Sequence, residues 1–175
     1  MVRQQQQIKQ GQHASKTPQS SGTTVASGAI GGASGQGSAY LSALQPTVDH
    51  GDFSARSQIM SATPYSDNVT FWCLPGSSGS PTEAFDVAGH SLFTAVVGIP
   101  DDTSNVTSVD ETVTFADQAG TPLMNPVTVS LGHPATVRLN ISAVTQLAVT
   151  CTGLNTQTHA TANGYDVTLG NAQIS

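Results

Sequence analysis

The sequence is poor in charged residues, and above all in bases. Only 9% of its 175 residues are Asp, Glu, Lys or Arg, whereas about 25% is usual in globular proteins. Residues 1–38 hold Arg3, Lys9 and Lys16 and no acid, and all 11 acids follow with only Arg56 and Arg138 as bases. Two bases against 11 acids give that later part a formal net charge of −9. Because binding to nucleic acid or to an anionic membrane requires clustered Lys and Arg, this composition argues against both partners.

Long apolar runs, helical periodicity and catalytic motifs are also absent. No stretch approaches the roughly 20 apolar residues of a membrane-spanning helix, and no signal peptide is visible. The Gly-x-Ser-x-Gly, His-Glu-x-x-His and phosphate-loop motifs do not occur. We therefore predict neither membrane insertion nor catalytic activity.

Only two cysteines are present, Cys73 and Cys151, 78 positions apart. Two lone cysteines this far apart do not form a zinc motif. They form either a disulfide that closes a long loop or two buried free thiols. The hydroxyl-rich, charge-poor composition is typical of secreted proteins, so it favours the disulfide and an extracellular or cell-surface location.

The chain divides into two regions that differ in composition and residue pattern. Residues 1–38 combine a glutamine run with a stretch of Ser, Gly, Ala and Thr. Such a segment buries too little apolar surface to offset its conformational entropy, which predicts a disordered tail or linker. Residues 39–175 hold short apolar runs separated by turn residues, which predicts one folded domain.

The apolar runs of the second region have the length and alternation of β-strands. They are rich in β-branched and aromatic residues, and clusters of Gly, Pro, Asn and Asp separate them. Eight to ten short strands predict an all-β fold, an antiparallel β-sandwich or jelly roll. The clearest runs are 69–74, 92–99, 112–115, 127–131, 136–139 and 146–151.

Five blocks in order carry a resemblance to a known family. They begin with Tyr40-Leu41-Ser42-Ala43-Leu44-Gln45-Pro46 and end with Gly170-Asn171-Ala172-Gln173-Ile174, and the blocks between them lie at 85–98, 113–120 and 135–149. Together they resemble the NPCBM/NEW2 carbohydrate-binding modules, of which this chain looks like a divergent, actinobacterial-type member. The resemblance implies a galactose-binding-like β-sandwich that binds an extracellular or cell-wall glycan without catalysis.

Two segments depart from the family where its sugar site usually lies. Residues 60–67 stand where sugar-binding members tend to have a Gly-Ile-Gly-x-His-Ala loop. Residues 167–171 replace an Asp-Trp-Ala-Asp segment and contain no Trp. Three functions therefore remain open. The first is a glycan-binding module, and the second is a surface domain that serves a structural or protein-interaction role without sugar binding. The third is a virion or appendage decoration domain that is tethered by the flexible tail.

Sugar binding needs an aromatic face for the ring and planar polar groups for its hydroxyls. Phe71 and the sole tryptophan, Trp72, are neighbours on a predicted strand, so one of them faces the core. Tyr65 and Tyr165 lie in polar loops and are candidate platforms. Ordinary packing is the alternative for each aromatic residue. The candidate polar partners are His50, Asp52 and Asn163.

One oxygen-rich loop raises the question of a metal. Asp101 and Asp102 follow a predicted strand, and clustered carboxylates suit calcium. No Asp-x-Asp-x-Asp-Gly loop is present, and the alternative is that Asp102 caps turn amides. We predict no other cofactor.

Overall fold

A computed structural model of the chain describes residues 37–73, 82–162 and 164–175. Within these residues the fold is all-β, with antiparallel sheets and a single 3-10 turn at Leu41–Ala43. The predicted β-sandwich is confirmed. The predicted tail lies outside the described residues except for Gly37 and Ser38. Among the described residues, no helix is long and apolar enough to cross a membrane.

The strands of the described residues are numbered β1 to β13 in chain order, and they form two main sheets and one hairpin. The first sheet contains β1 (Ala39–Tyr40), β5 (Val69–Cys73), β7 (Leu92–Gly98), β10 (Ala135–Asn140) and β13 (Tyr165–Ile174). The second sheet contains β2 (Val48–Asp49), β6 (Glu83–Asp86), β8 (Val109–Ala116), β9 (Val127–Ser130), β11 (Gln146–Asn155) and β12 (Thr161–Ala162). The separate hairpin pairs β3 (Gln58–Met60) with β4 (Thr63–Tyr65).

One long strand organises each sheet. In the first sheet, the start of β13 pairs with β5, its end pairs with β1, and its other edge pairs with β7, which in turn pairs with β10. In the second sheet, β11 pairs with β6 and β12 along one edge and with β8 along the other, and β9 lies beyond β8. The two ten-residue strands therefore hold elements that are distant in sequence.

The core lies between the two sheets, and strands such as β7, β8 and β11 bury alternate residues toward it. In β8, Val109, Glu111, Val113 and Phe115 face inward, and the residues between them are half-buried. Rings from both sheets meet in this layer, and the centroids of Phe93 and Phe115 are 5.6 Å apart. Removal of this apolar surface from water is the main source of stability.

A disulfide joins the two sheets at one end of the sandwich. Cys73 is the last residue of β5 and Cys151 lies within β11, with their Cα atoms 5.0 Å apart. Both residues are fully buried. The predicted disulfide is confirmed, and the region around it is called the disulfide end below.

The β3–β4 hairpin packs on part of the outer face of the first sheet. A Cβ atom on Gly170 would lie 2.7 Å from Met60 Cε and 2.8 Å from Tyr65 Cδ1, and one on Gly98 would lie 2.9 Å from Met60 Sδ. Glycine at these two positions therefore lets the hairpin pack directly on the sheet. This packing places the hairpin on β7 and β13, and β13 pairs with β5, the strand that carries Trp72.

Candidate functional site

Trp72 is exposed on the outer face of the first sheet. Along β5, Phe71 and Cys73 are fully buried, whereas Trp72 is 47% exposed. The prediction that one of the two neighbours Phe71 and Trp72 faces the core is confirmed, and Phe71 is the buried one. An indole this exposed on a strand that is paired within a sheet presents a flat apolar face to solvent.

The cross-strand neighbour of Trp72 is an acid that pairs with an arginine. Asp166 of β13 lies in register with Trp72, and the indole donates a hydrogen bond to its carboxylate. The Oδ2 atom of Asp166 also accepts a hydrogen bond from Arg56 Nη2 at 3.3 Å. Trp72, Asp166 and Arg56 are together called the Trp72 surface. It combines an aromatic platform with an acceptor and a donor.

A second partner fixes the guanidinium of Arg56. With its amide oxygen turned toward Arg56, Gln58 accepts hydrogen bonds from Arg56 Nε at 2.9 Å and from Nη2 at 3.1 Å. Gln58 is itself buried. Because two partners hold the guanidinium, it loses little further conformational freedom when a ligand binds.

Burial and neighbouring charges act on Asp166 in opposite directions. Partial burial raises the pKa of this carboxyl, and the negative charge of Asp102 raises it further. Arg56 and the hydrogen bond from Trp72 both lower the pKa of Asp166, but the net shift is upward. Asp102 is therefore close enough to the Trp72 surface to affect it electrostatically.

A groove of about 660 Å³ is lined in part by Gln58, the partner of Arg56. Its apolar part includes Ile59, which is 52% exposed. Three of the predicted site residues line it, namely Tyr65, Asp101 and Asp102. The other lining residues are Ser57, Gln58, Ile59 and Pro64. The volume is sufficient for a small ligand group.

Asp101 fastens the hairpin turn. Its two carboxylate oxygens accept the backbone N–H groups of Ser61 at 2.8 Å and of Ala62 at 2.9 Å. Both turn residues have positive φ, 49° and 60°. Sequence reasoning assigned a possible capping role to Asp102, and the observed capping residue is its neighbour Asp101. Calcium binding at Asp101 and Asp102 stays a prediction.

Three other predicted residues, Tyr165, His50 and Asp52, lie near the disulfide end. Tyr165 packs against the core, so it does not share the outer face of Trp72. His50 and Asp52 are exposed and flank Gly51, whose carbonyl accepts the backbone N–H of Trp72 at 2.5 Å. Asn163 lies outside the described residues. Tyr165, His50, Asp52 and Asn163 stay predictions as ligand-binding residues.

Sequence reasoning did not identify two side chains of the Trp72 surface, those of Arg56 and Asp166. Arg56 and Asp166 are 110 positions apart, and only the pairing of β5 with β13 and the course of the segment before β3 bring them together. The single available signal was the scarcity of bases, because Arg56 is one of only two after residue 38.

Comparison with solved structures shows which known fold this chain has. No family model and no curated protein matches the chain. Among solved structures, it is similar to the CBM51 module of Clostridium perfringens GH95 in complex with methyl-galactose, with 12% identity and a TM-score of 0.53 over 79% of this chain and 100% of that one. The chain has the fold of the CBM51 carbohydrate-binding modules.

Two further CBM51 structures agree with this result. The tandem CBM51 modules of a family 98 glycoside hydrolase from Streptococcus pneumoniae match with 14% identity and a TM-score of 0.53, over 87% of this chain and 52% of that one. The second CBM51 module of Clostridium perfringens ZmpB, solved with GlcNAc, matches with 12% identity and a TM-score of 0.54. The match covers 79% of this chain and 31% of that one.

The CBM51-like sandwich also buries two carboxyl groups that sequence reasoning missed. Glu83 of β6 and Glu111 of β8 are fully buried, and each has one oxygen without a hydrogen-bond partner. Burial raises the pKa of Glu83 to about 8, with a further contribution from the charge of Asp49. Burial alone raises the pKa of Glu111 to about 8. Both groups are therefore mostly protonated at pH 7.

Glu83 lies beneath the segment that supports Trp72. Its Oε1 atom accepts the backbone N–H of Gly51 at 3.2 Å, and Gly51 in turn accepts the backbone N–H of Trp72. A Cβ atom on Gly51 would come within 2.8 Å of Trp72 O and 3.1 Å of Glu83 Oε1. The buried carboxyl of Glu83 is therefore linked to β5, the strand that carries Trp72, through the backbone of Gly51.

Proposed function

We propose that this chain is a non-catalytic carbohydrate-binding module that binds uncharged glycans at the Trp72 surface and the adjoining groove. The observation that carries the proposal is the exposed indole of Trp72 beside the fixed pair of Asp166 and Arg56. Within the described residues, this surface combines an exposed tryptophan with a preorganised donor and acceptor.

The chemistry of the surface suits a sugar ring. The indole stacks against the apolar C–H face of the ring, and the hydroxyls at its edge bond to the guanidinium of Arg56 and the carboxylate of Asp166. The groove beyond Arg56, lined by Ile59 and Tyr65, then holds the next residue or an apolar substituent. The net charge of the domain disfavours acidic glycans, because they carry the same sign.

The fold likeness supports this proposal without specifying the ligand. The similar modules were solved with methyl-galactose and with GlcNAc, and both sugars are uncharged. We extend the proposal to membership of the NPCBM/NEW2 group, with residues 39–175 as the binding module and residues 1–38 as its tether. The buried disulfide supports an extracellular or cell-surface location, since such bonds persist in oxidising compartments.

The sole tryptophan supplies a direct test. Neutral mono- and oligosaccharides, including galactose and GlcNAc, are titrated into the purified chain while the emission of Trp72 is recorded. Stacking of a sugar on the indole shifts or quenches that emission. A glycan array then defines the preferred ligand, with calcium and with a chelator, so that the prediction for Asp101 and Asp102 is tested in the same experiment.

Two variants locate the site. Trp72→Ala should abolish array binding, because it removes the platform. Tyr40→Ala is the matched control, because Tyr40 is an exposed aromatic residue of the same sheet, 36% exposed, on a strand that pairs with the other end of β13. A blank array from the folded chain, or undiminished binding by the Trp72→Ala variant, would contradict the proposal.

A second candidate function uses the same surface for protein. Ile59 and Trp72 are 52% and 47% exposed, and aromatic and apolar side chains with an arginine are typical of protein-interaction hot spots. In that case the array stays blank, and Trp72→Ala removes binding to a surface protein of the same cell. The glycan array therefore separates the two candidates.

A further inference from the structure

The disulfide has an unexplained neighbour. The Oε2 atom of Glu111 lies 3.5 Å from Cys151 Sγ. The ligand atoms of Cys73, Cys151 and Glu111 all lie within 4.8 Å of one another, and all three residues are buried. The other oxygen of Glu111 has no hydrogen-bond partner, although the side chain is 0% exposed. A buried carboxyl with an unused oxygen is costly, so its place against the two sulfurs calls for a role.

The space for this carboxyl depends on a glycine. Gly153 pairs with Glu111 across β11 and β8. A Cβ atom on Gly153 would lie 2.9 Å from both oxygens of Glu111. Any larger residue at position 153 would push the carboxyl of Glu111 away from the sulfurs. Glycine at this position therefore leaves the space that the carboxyl occupies.

We propose that Cys73, Cys151 and Glu111 form a redox-dependent Zn²⁺ site, in which the reduced chain holds the ion and oxidation to the disulfide releases it. Two thiolates and one carboxylate are ligands that zinc accepts, and three protein ligands leave a fourth position for water. Zn²⁺ offsets two of their three negative charges, which lowers the cost of burying the thiolates and the carboxylate.

The distance between Cys151 Sγ and Glu111 Oε2 already fits two ligands of a tetrahedral zinc site. With Zn–S of about 2.3 Å and Zn–O of about 2.1 Å, a tetrahedral site separates sulfur from oxygen by about 3.6 Å. The observed separation between Cys151 Sγ and Glu111 Oε2 is 3.5 Å. The two sulfurs must move apart to about 3.8 Å, which rotation of one cysteine side chain provides when the S–S bond is absent.

The redox step balances with a low-molecular-weight disulfide as oxidant. The Cys151 thiolate attacks one sulfur of that disulfide, its S–S bond breaks, and one thiolate leaves. The Cys73 thiolate then attacks Cys151 Sγ, the protein disulfide forms, and the second thiolate leaves. Two electrons pass to the oxidant, and Zn²⁺ departs because its two sulfur ligands are lost. A dithiol reverses the sequence.

The test uses the full chain reduced anaerobically with a dithiol, which is then removed. Co²⁺ is added as the probe, since thiolate-to-cobalt charge transfer and tetrahedral ligand-field bands report the ligands directly, and Zn²⁺ then displaces it. The expected result is one equivalent bound by the reduced chain and none by the oxidised chain. The Cys73→Ser, Cys151→Ser double variant should bind none.

Variants of the two buried carboxyls identify the third ligand. Glu111→Gln should weaken binding by about tenfold or more, because outer-shell changes alone reach that size. Glu83→Gln is the matched control: it alters an equally buried carboxyl outside the cluster and should leave affinity unchanged. Equal affinity of the parent and the Glu111→Gln variant would overturn the proposal.

The folding state of the reduced chain is checked by the emission of Trp72 and by far-ultraviolet circular dichroism. If the reduced chain is folded, the absence of cobalt bands overturns the proposal. If it is unfolded without metal, recovery of the native spectra on addition of Zn²⁺ supports the site. Failure of Zn²⁺ to restore those spectra also overturns it.

Discussion

The two layers of the disulfide end carry carboxyl groups in opposite environments. On the outer face, Asp166 is partly exposed and pairs with Arg56 and Trp72. In the layer between the sheets, Glu83 and Glu111 are fully buried, and each has an oxygen without a partner. A glycan in solution can reach the outer carboxyl, whereas the inner carboxyls are out of its reach and affect the stability of the fold.

The difference separates binding from stability. An exposed ion pair contributes little to folding, typically about 0–1 kcal/mol, because water already solvates both charges. A buried carboxyl is costly to ionise, so it makes folding depend on pH. We therefore expect changes at the outer layer to alter ligand affinity and changes at the inner layer to alter the free energy of unfolding.

The largest expected effect is alkaline destabilisation. The pKa values of Glu83 and Glu111 are raised from 4.5 to about 8 in the folded chain. Between those values the unfolded chain has lost protons that the native chain retains. The free energy of unfolding therefore falls as pH rises from about 4.5 to about 8, by at most about 5 kcal/mol for each carboxyl. Below pH 4.5 both states are protonated and the penalty disappears.

Urea unfolding across this pH range measures the effect. The Glu83→Gln, Glu111→Gln double variant should lose most of the pH dependence, because neither amide ionises. An equal slope for the parent and the double variant would show that the inner layer does not control stability, and the contrast between the two layers would be lost.

Loss of the disulfide is the next largest change. The Cys73→Ser, Cys151→Ser variant opens a loop of 78 residues, which should lower the free energy of unfolding by roughly 4 kcal/mol on the chain-entropy model. Chemical denaturation with a metal chelator present measures this loss without any contribution from zinc. A loss below about 1 kcal/mol would indicate that the bond contributes little to folding.

A smaller effect is expected from crowding Glu111. Gly153→Ala places a Cβ atom against both Glu111 oxygens and against the backbone carbonyl of Ala162, and overpacking of this kind costs about 1–3 kcal/mol. Thermal denaturation compares it with Gly37→Ala, which has nothing within 4 Å of the added atom. Equal stability of the two variants would contradict the tight packing at Gly153.

The smallest stability effect belongs to the outer layer. Arg56→Ala should change the free energy of unfolding by less than about 1 kcal/mol, while glycan affinity falls about threefold or more through loss of a charged donor. Arg138→Ala, at an exposed position of the same sheet, should change neither quantity. Isothermal titration measures the glycan affinity of both variants, and urea unfolding measures their free energy of unfolding. A loss of stability in the Arg56→Ala variant as large as its loss of affinity would contradict the expected contrast.

Sequence patterns predicted the fold class but not all of its strands. The apolar runs around Phe71, Phe93 and Phe115 predicted strands correctly, because alternation and β-branched residues reflect burial on one face. The short strands β2, β3, β4, β6 and β12 were not anticipated. Elements of two to four residues contain too few positions for a period to emerge, and tertiary packing defines them.

The candidate site was predicted only in part. Trp72, Tyr65, Asp101 and Asp102 were proposed as individual residues, and the structure places three of them in one groove and Trp72 beside Arg56 and Asp166. The register of β5 against β13 was not readable from sequence. A one-residue shift in that register would turn the facing side chain to the opposite surface.

The sequence alone determined the all-β class, the acidic charge of the domain and the presence of one tryptophan, since these depend on composition and on short-range periodicity. Only the tertiary structure decided that Trp72 faces outward next to Asp166, that Cys73 meets Cys151, and that Glu83 and Glu111 lie in the core. Each of these depends on contacts between strands far apart in the chain, and such contacts arise when two sheets bury a common apolar layer.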